Sequence, residues 1–409
     1  MQERTASLPL DQDACHSLSM TPVRTPAAQS LQAALGAGVD PLGYARQLLP
    51  LHRAWSEGAR IRSEVRPVIA RSWKRAPGRG GESRLLPEDE LAARRRGNQE
   101  MSILGQLLGD RLLPLAGQAE NQLVITDGEG YILSVRGPRA VRRQSDGIGF
   151  IPGARWREAD VGTNGIGTVM VDRIPIQVFG PEHAREEQHA WVCTSAPIVN
   201  PATGALAATV TLAGSFRTAH PHTLALVSAT AREAEGELLR LHQLELDELR
   251  SAVDGPGGRY VLVDGHLAVA ASRGFDCPAR LPVPGGLQEG NVWVRGLGAM
   301  HAAPIPGGWL LRPVAERVVL ELCSGPVPKV VISVGSERTE VPLGWRHWQI
   351  LELLARRHQG VDADGLAELW PRPVSAVTVR AEVSRLRAKL GGIIAARPYR
   401  LTVPVVFSC

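Results

Sequence analysis

Lysine is nearly missing from this chain. Across 409 residues it stands only at Lys74, Lys329 and Lys389. None of these follows a glycine, so the Gly-Lys-Ser/Thr phosphate cradle of Walker-type nucleotide enzymes is absent. Cysteine is almost as scarce. Cys15, Cys193, Cys277, Cys323 and Cys409 are odd in number, scattered and without a CxxC pair, which argues against a zinc ribbon or a disulfide framework and fits a reducing compartment. No run approaches the ~18–20 apolar residues of a membrane span. The first residues, MQERTASLPLDQDACHSLSM, lack an apolar core followed by a cleavage site. The expectation is a soluble, cytoplasmic protein with no membrane partner.

What is present is ordinary folded composition with a basic balance. Hydrophobic residues make up 44% and the formal net charge is +5, with a sequence pI near 9.2. Arginine carries nearly all of that charge, which favours an anionic partner. The length allows roughly two to four domains.

The expected class is α+β and multidomain. Residues 1–40 are polar and weakly periodic, and read as a mobile leader. Residues 41–106 read as a helical region containing RPVIARSWKR (66–75), with a GRGG break at 78–81. A domain over 107–245 follows, with an antiparallel sheet and flanking helices. Its strands are QLVITDGEGYILSV (122–135), a hairpin around DGEG, then IPIQV (174–178), HAWVCTSAPI (189–198) and ALAATVTLAG (205–214). VNPATG (199–204) suits the turn between the last two.

PHTLALVSATAREAEGELLRLHQLELDELR (221–250) predicts one long helix with Pro221 in its first turn. Leu224, Val227, Ala231, Ala234, Leu238 and Leu241 follow the alternating three- and four-residue steps of a coiled-coil seam. Its first half is expected to pack on the chain's own sheet, and its second half to pair with a second subunit. GPGG (255–258) marks a boundary. A small β-rich module over 256–322 follows, either a degenerate PAS-like sensor or a spacer, and CSGPVPK (323–329) reads as the next linker.

Residues 329–409 read as a DNA-binding module. KVVISVGSERTEVPL (329–343) is a hairpin by alternation. Trp345, Trp348, Leu351 and Leu354 share one face of a first helix. Asp362 or Asp364 caps a second that Pro371 closes. In the third, SAVTVRAEVSRLRAKLGG, Val379, Val383, Leu386 and Leu390 form one apolar sector, and Gly391 stops it. Val377, Ala381, Ser384, Arg385 and Ala388 lie opposite. Small side chains permit close approach to a major groove, arginine pairs bidentately with guanine, and flanking cations meet phosphates. IIAARPYRLTVPV then reads as strand, turn and returning strand, a basic wing. From Trp345 to Arg400, ten basic residues stand against five acidic ones. The candidate DNA contacts are Thr378, Arg380, Ser384, Arg385, Arg387, Lys389, Arg397 and Arg400. PLGWRHWQILELLA (342–355), TVRAEVSRLRAKLG (378–391) and RPYRL (397–401) resemble the winged helix-turn-helix output domains of bacterial two-component response regulators. No phosphoacceptor receiver domain precedes the module here, so its signal is expected to come from elsewhere.

ADVGTNGIGT (159–168) is the densest small-residue stretch. Its spacing does not fit a dinucleotide fingerprint, and no strand of a βαβ unit precedes it. SWKR (72–75), WREADVGTNGIGT (156–168), PIQVFGPEH (175–183), WVCTSAPIVNPATGALAATVTLAG (191–214) and PHTLALV (221–227) together resemble the GAF-containing N-terminal region of acetoin-catabolism-type bacterial regulators. Such regulators usually carry a sigma-factor-activating ATPase, which this chain lacks. The resemblance therefore implies effector sensing and transcriptional control without ATP-driven promoter opening.

In that setting Thr163 or Asn164 caps a helix beside a cavity, and glycines such as Gly165 let backbone amides approach a ligand. Trp156, Phe179 and Trp191 are candidate apolar walls, with Glu158, Asn164 and His183 as candidate polar groups. Each could equally be a core residue or serve a turn. His183, His189 and Cys193 match no common zinc spacing, so neither metal nor ATP is expected as cofactor. The expected effector is a small organic molecule. The leading reading is a homodimeric regulator that binds promoter DNA, with RNA polymerase a candidate further partner. The rivals are a thiol enzyme or redox sensor using Cys193, and a regulator acting only through protein contacts.

Overall fold

The computed structural model describes residues 31–409 except 60–63, 77–80, 82, 97–98, 254–256, 284, 315–317, 373 and 409. Most of the expected leader, and the glycine breaks at 78–81 and 255–258 in part, lie outside the described residues. The chain divides into two units, one of Met1–Val199 with Leu206–Ala234 and one of Asn200–Ala205 with Glu235–Cys409.

The first unit opens with helices α1 (Pro41–Ser56), α2 (Pro67–Arg75), α3 (Glu88–Arg96) and α4 (Gln99–Gln118). Asp40 caps α1, its carboxylate accepting from the Leu42 and Gly43 amides. Helix α4 runs through residue 106, where the sequence reading ended the helical region. The last residues of the expected leader are docked: Gln32 bridges to Ile176, and Ala34 and Leu35 are buried in one cluster with Phe179. A short run of Ala, Leu and Gly (33–37) carries too little periodicity to reveal this.

Strands β1 (Asn121–Asp127) and β2 (Ile132–Arg136) form the expected hairpin. The Asp127 carboxylate accepts from the Glu129 and Tyr131 amides and closes its turn. Helices α5 (Arg139–Asp146), α6 (Glu158–Val161) and α7 (Gly165–Asp172) follow, then β3 (Ile176–Phe179), β4 (Trp191–Val199) and β5 (Leu206–Ser215). The sheet is antiparallel in the order β2-β1-β5-β4-β3. One face carries Val124, Ile132, Trp191, Cys193 and Ala213 against Phe150, Trp156, Val161 and Ile166. That apolar layer is where the candidate site lies.

Helix α8 (Pro221–Ala252) belongs to the first unit up to Ala234 and to the second from Glu235. Leu224, Val227, Ala231, Ala234 and Leu238 are buried, and the stripe continues through His242, Leu246 and Leu249. Leu246 and Leu249 share a cluster with Leu262, Ala268, Ala270 and Leu310 of the second unit. The second half of the helix was expected to pair between subunits along this seam. Beyond the predicted seam, Leu246 and Leu249 are covered by the chain's own β-rich module, which supplies an apolar face close behind in sequence.

That module is a sheet of β6 (Tyr260–Asp264), β7 (Val269–Arg273), β8 (Gly290–Val294), β9 (Gly298–Ile305) and β10 (Gly308–Pro313), antiparallel in the order β7-β6-β10-β9-β8. Next come β11 (Val318–Cys323), β12 (Lys329–Val334) and β13 (Glu337–Pro342), then α9 (Trp345–Arg356), α10 (Ala363–Ala367) and α11 (Ala376–Leu390). The chain ends with β14 (Ile394–Ala395), β15 (Arg400–Leu401) and β16 (Val405–Ser408). The second sheet runs β13-β12-β11-β16, and β14 pairs only with β15. Residues 318–322, placed by sequence at the end of the small module, and Cys323, placed in the linker, thus join the C-terminal sheet. Their partner β16 pairs in parallel from far along the chain, so no local turn signals it. Leu351, Leu354, Leu366, Val379, Val383, Leu386 and Leu390 close one core with Leu320, Val330 and Ile332. No helix among the described residues is long and apolar enough to cross a membrane.

Candidate functional site

The ADVGTNGIGT segment folds as the end of α6, a turn and the start of α7. Gly162 has φ +74°, which ends α6, and Asn164 caps α7 by accepting from the Gly167 amide at 2.9 Å. Gly165 and Gly167 both lie where a side chain would collide with neighbouring elements. A Cβ on Gly165 would sit 2.5 Å from Ser195 Oγ and 2.7 Å from Cys193 Cβ, and one on Gly167 would sit 2.4 Å from the Glu158 nitrogen. Helix α7 therefore lies directly on β4 and against the start of α6.

Three of the candidates, Glu158, Thr163 and Asn164, have hydrogen-bond partners within the chain. Glu158 is buried. Its Oε1 accepts from Ser72 Oγ at 2.6 Å, and its carboxylate takes Arg75 Nε and Nη2 at 2.8 Å. Thr163 Oγ1 lies 2.7 Å from the same Ser72 hydroxyl. Trp73 Nε1 donates to the Glu182 carbonyl, and Trp73 stacks on Trp55 at 4.5 Å. The SWKR stretch is thus the anchor of the N-terminal helices on this domain. Asn164 also satisfies itself, donating from Nδ2 to the Gly162 carbonyl. Phe179 lies in the separate cluster with Leu35, Ala45 and Leu48.

The remaining candidates converge. Trp156, His183 and Trp191 line a very small cavity of about 10 Å³, room for about one water molecule, together with Phe150, Gln188 and Cys193. Phe150 packs edge-on to Trp156 at 4.4 Å, and Trp156 Nε1 donates to the Gly149 carbonyl. The walls are apolar apart from two buried side chains. His183 Nδ1 lies 3.0 Å from the Gly180 carbonyl, and an atom facing a carbonyl must be the N–H, so Nε2 is the bare acceptor. That Nε2 is buried without a partner among the described residues, as are both amide atoms of Gln188. Burial holds the His183 pKa down to about 3, so the ring is neutral. Orphaned polar atoms at full burial are costly, and all three belong to residues that line this one cavity.

Sequence reasoning missed Gln188 and Phe150. Gln188 sits in a short 3-10 turn (Glu186–Gln188) among charged neighbours, where nothing in the pattern marks it as buried. Cys193 also faces the cavity, and burial pushes its thiol up to about 12. Burial thus disfavours the thiolate form that a nucleophilic cysteine needs. No group of three or more His, Cys, Asp or Glu side chains among the described residues could hold a metal.

On the second unit, α11 turns Val379, Val383, Leu386 and Leu390 inward. Thr378, Arg380, Ser384, Arg385, Arg387 and Ala388 are exposed and Lys389 is half-buried. Ser375 caps the helix, accepting from the Thr378 amide. Arg385 pairs with Glu382, which also takes His347 Nε2 at 3.1 Å and so ties α11 to α9. Arg397 and Arg400 are exposed on the β14–β15 turn and strand. Of the two possible caps for α10, Asp362 serves, accepting from the Gly365 amide.

Residues 101–238 match the family model of the GAF domain. The chain is 29% identical over 379 residues to an uncharacterized 47.3 kDa protein in the thcA 5' region of Rhodococcus erythropolis, covering 89% of this chain and 71% of that one. It is 32% identical over 200 residues to the acetoin dehydrogenase operon transcriptional activator AcoR of Bacillus subtilis, covering 46% of this chain and 33% of that protein. A signal-transduction and transcriptional-control protein of Clostridium beijerinckii is 35% identical over 116 residues, 28% of this chain and 18% of its own length. The chain therefore spans a third or less of these two regulators. A solved chain of the E. coli DhaR(N)–DhaL complex superposes with a TM-score of 0.43 at 20% identity, over 61% of this chain and 100% of that one. Residues 101–238 thus match the GAF domain, and the named proteins to which the chain is similar are transcriptional regulators.

Proposed function

We propose that this protein is a ligand-responsive transcriptional regulator. Its GAF domain takes a small effector in the cavity between Trp156 and Trp191, and a winged helix built on α9–α11 and the β14–β15 turn binds promoter DNA. The observation that carries the reading is the division of α11 into two faces. Its apolar residues close a core, while Thr378, Arg380, Ser384, Arg385 and Arg387 stand open to solvent. A solvated structural helix needs no strip of small residues edged by arginine, whereas a helix entering a major groove does.

The effector side rests on His183 and Gln188. A neutral imidazole with a bare Nε2 asks for an O–H or N–H donor, and the Gln188 amide offers both a donor and an acceptor. The apolar walls suit an uncharged molecule, for which the cavity of about 10 Å³ has to open. Because α8 belongs in part to each unit, an effector that favours one position of that helix would shift DNA affinity. A homodimer remains part of this reading, paired through a face other than the α8 seam.

The test is fluorescence anisotropy of the full chain on DNA from upstream of its own coding sequence. Wild type should bind with affinity that falls steeply with salt, and Arg385→Ala should lose sequence preference by roughly tenfold or more, as loss of a bidentate base contact does. Sequence-specific binding retained in Arg385→Ala removes the recognition-helix assignment. Absence of binding by wild type removes the DNA-binding function.

A further inference from the structure

The β8–β9 turn reaches the last turn of α11, glycine against glycine. A Cβ on Gly391 would lie 3.4 Å from the Gly296 nitrogen and 3.5 Å from the Trp293 ring. Gly391 (φ +70°) ends α11 and Gly296 (φ +88°) bends the turn. Trp293 is buried in the same core as Leu386 and Leu390. Packing therefore fixes the turn beside the helix.

Between them lies an open groove lined by Gly296, Arg380, Ser384, Arg387, Ala388 and Tyr399. Arg295, next to Gly296, is exposed. Arg295, Arg380 and Arg387 make no side-chain hydrogen bond or ion pair among the described residues, in contrast to Arg385 with its Glu382. Arg380 and Arg387 line the groove, and Arg295 stands on the turn at its edge in sequence. Cations without internal counterions create a positive potential that a polyanion relieves. The small residues Gly296, Ser384 and Ala388 leave room for a bulky backbone to approach.

We propose that the β8–β9 turn is a second DNA-backbone contact, with Arg295 meeting a phosphate beside the base pairs faced by α11. The small β-rich module is then part of the DNA-reading surface, neither a spacer nor a separate sensor. This rests on the winged-helix reading above. With α11 in a major groove, the sugar–phosphate backbone passes the ends of the helix, and the turn stands at its C-terminal end. A phosphate contact carries no sequence information, so its signature is uniform weakening and a shallower salt dependence.

The experiment is anisotropy of full-length wild type, Arg295→Ala and Arg385→Ala on two duplexes of equal length, one upstream and one of random sequence. Salt is varied between about 50 and 200 mM. Arg295→Ala should weaken binding to both duplexes several-fold and reduce the slope of log affinity against log salt by about 0.9, while Arg385→Ala erodes the preference between them. If Arg295→Ala matches wild type in affinity and slope while Arg385→Ala loses preference, the turn is not a contact and the winged-helix reading stands. If wild type binds neither duplex, both fall. Circular dichroism of Arg295→Ala, whose side chain is exposed, should overlay wild type.

Discussion

Ser72 Oγ donates to Glu158 Oε1 at 2.6 Å, a buried hydrogen bond between residues 86 positions apart. It joins helix α2 to the start of α6, with Arg75 completing the carboxylate's shell. Ser72→Ala would leave a buried carboxylate short of one donor. The expected cost is about 1–3 kcal/mol, read as a lower urea midpoint with unchanged slope. An unchanged midpoint would mean that the N-terminal helices are not anchored through this pair.

Gly165 and Gly236 should respond in opposite directions to alanine. At Gly165 the new methyl meets Ser195 and Cys193 well inside contact distance, so Gly165→Ala should destabilise by about 1–3 kcal/mol. At Gly236, in α8, nothing lies within 4 Å, and Gly236→Ala should stabilise by about 0.5–1 kcal/mol. Thermal midpoints of both variants check this. Equal tolerance at the two positions would contradict the close α7–β4 packing.

Gln188→Leu separates stability from ligand binding. Removing two orphaned buried polar atoms should raise the stability of the ligand-free protein by about 1–3 kcal/mol, and the variant should no longer retain an effector. Calorimetry and native mass spectrometry on protein purified from its own host read the two effects. A stability loss would show that Gln188 is satisfied in the ligand-free state.

Stability should fall with acid through His183. Burial lowers its pKa from 6.5 to about 3, so below pH 6.5 the unfolded chain binds a proton that the folded chain refuses. The contribution is complete above that pH and is lost as pH drops toward 3, at up to about 1.4 kcal/mol per unit. His189, lowered to about 4 by burial and by His52, acts in the same sense. His183→Asn offers an amide to the Gly180 carbonyl but does not titrate. Its unfolding midpoint should depend less on pH than that of wild type, and identical profiles would contradict a buried neutral His183.

The strands and helices that follow strong periodicity were legible. The β1–β2 hairpin, α8 and the inward face of α11 all lie where alternation or heptad spacing put them. Less could be read of the cavity. Trp156, His183 and Trp191 meet there, but a sequence does not reveal whether a conspicuous Glu158 or Thr163 faces a ligand or a distant Ser72. Gln188 was invisible because its burial depends on strands and helices far away in sequence. Heptad spacing marked Leu224, Val227, Ala231, Ala234 and Leu238 of α8, all of them buried, but it could not say that Leu246 and Leu249 pack on the chain's own next sheet. Strand β16 escaped because a parallel pairing with β11 carries no turn beside it.

The central claim, that α11 reads duplex DNA, is tested most directly by enrichment of fragmented genomic DNA on the immobilised full-length protein. Wild type should select one or a few sequences, and an Arg380→Ala, Arg385→Ala double variant should select none of them. Failure of wild type to enrich any fragment, or the same fragments on the double variant, would contradict the account.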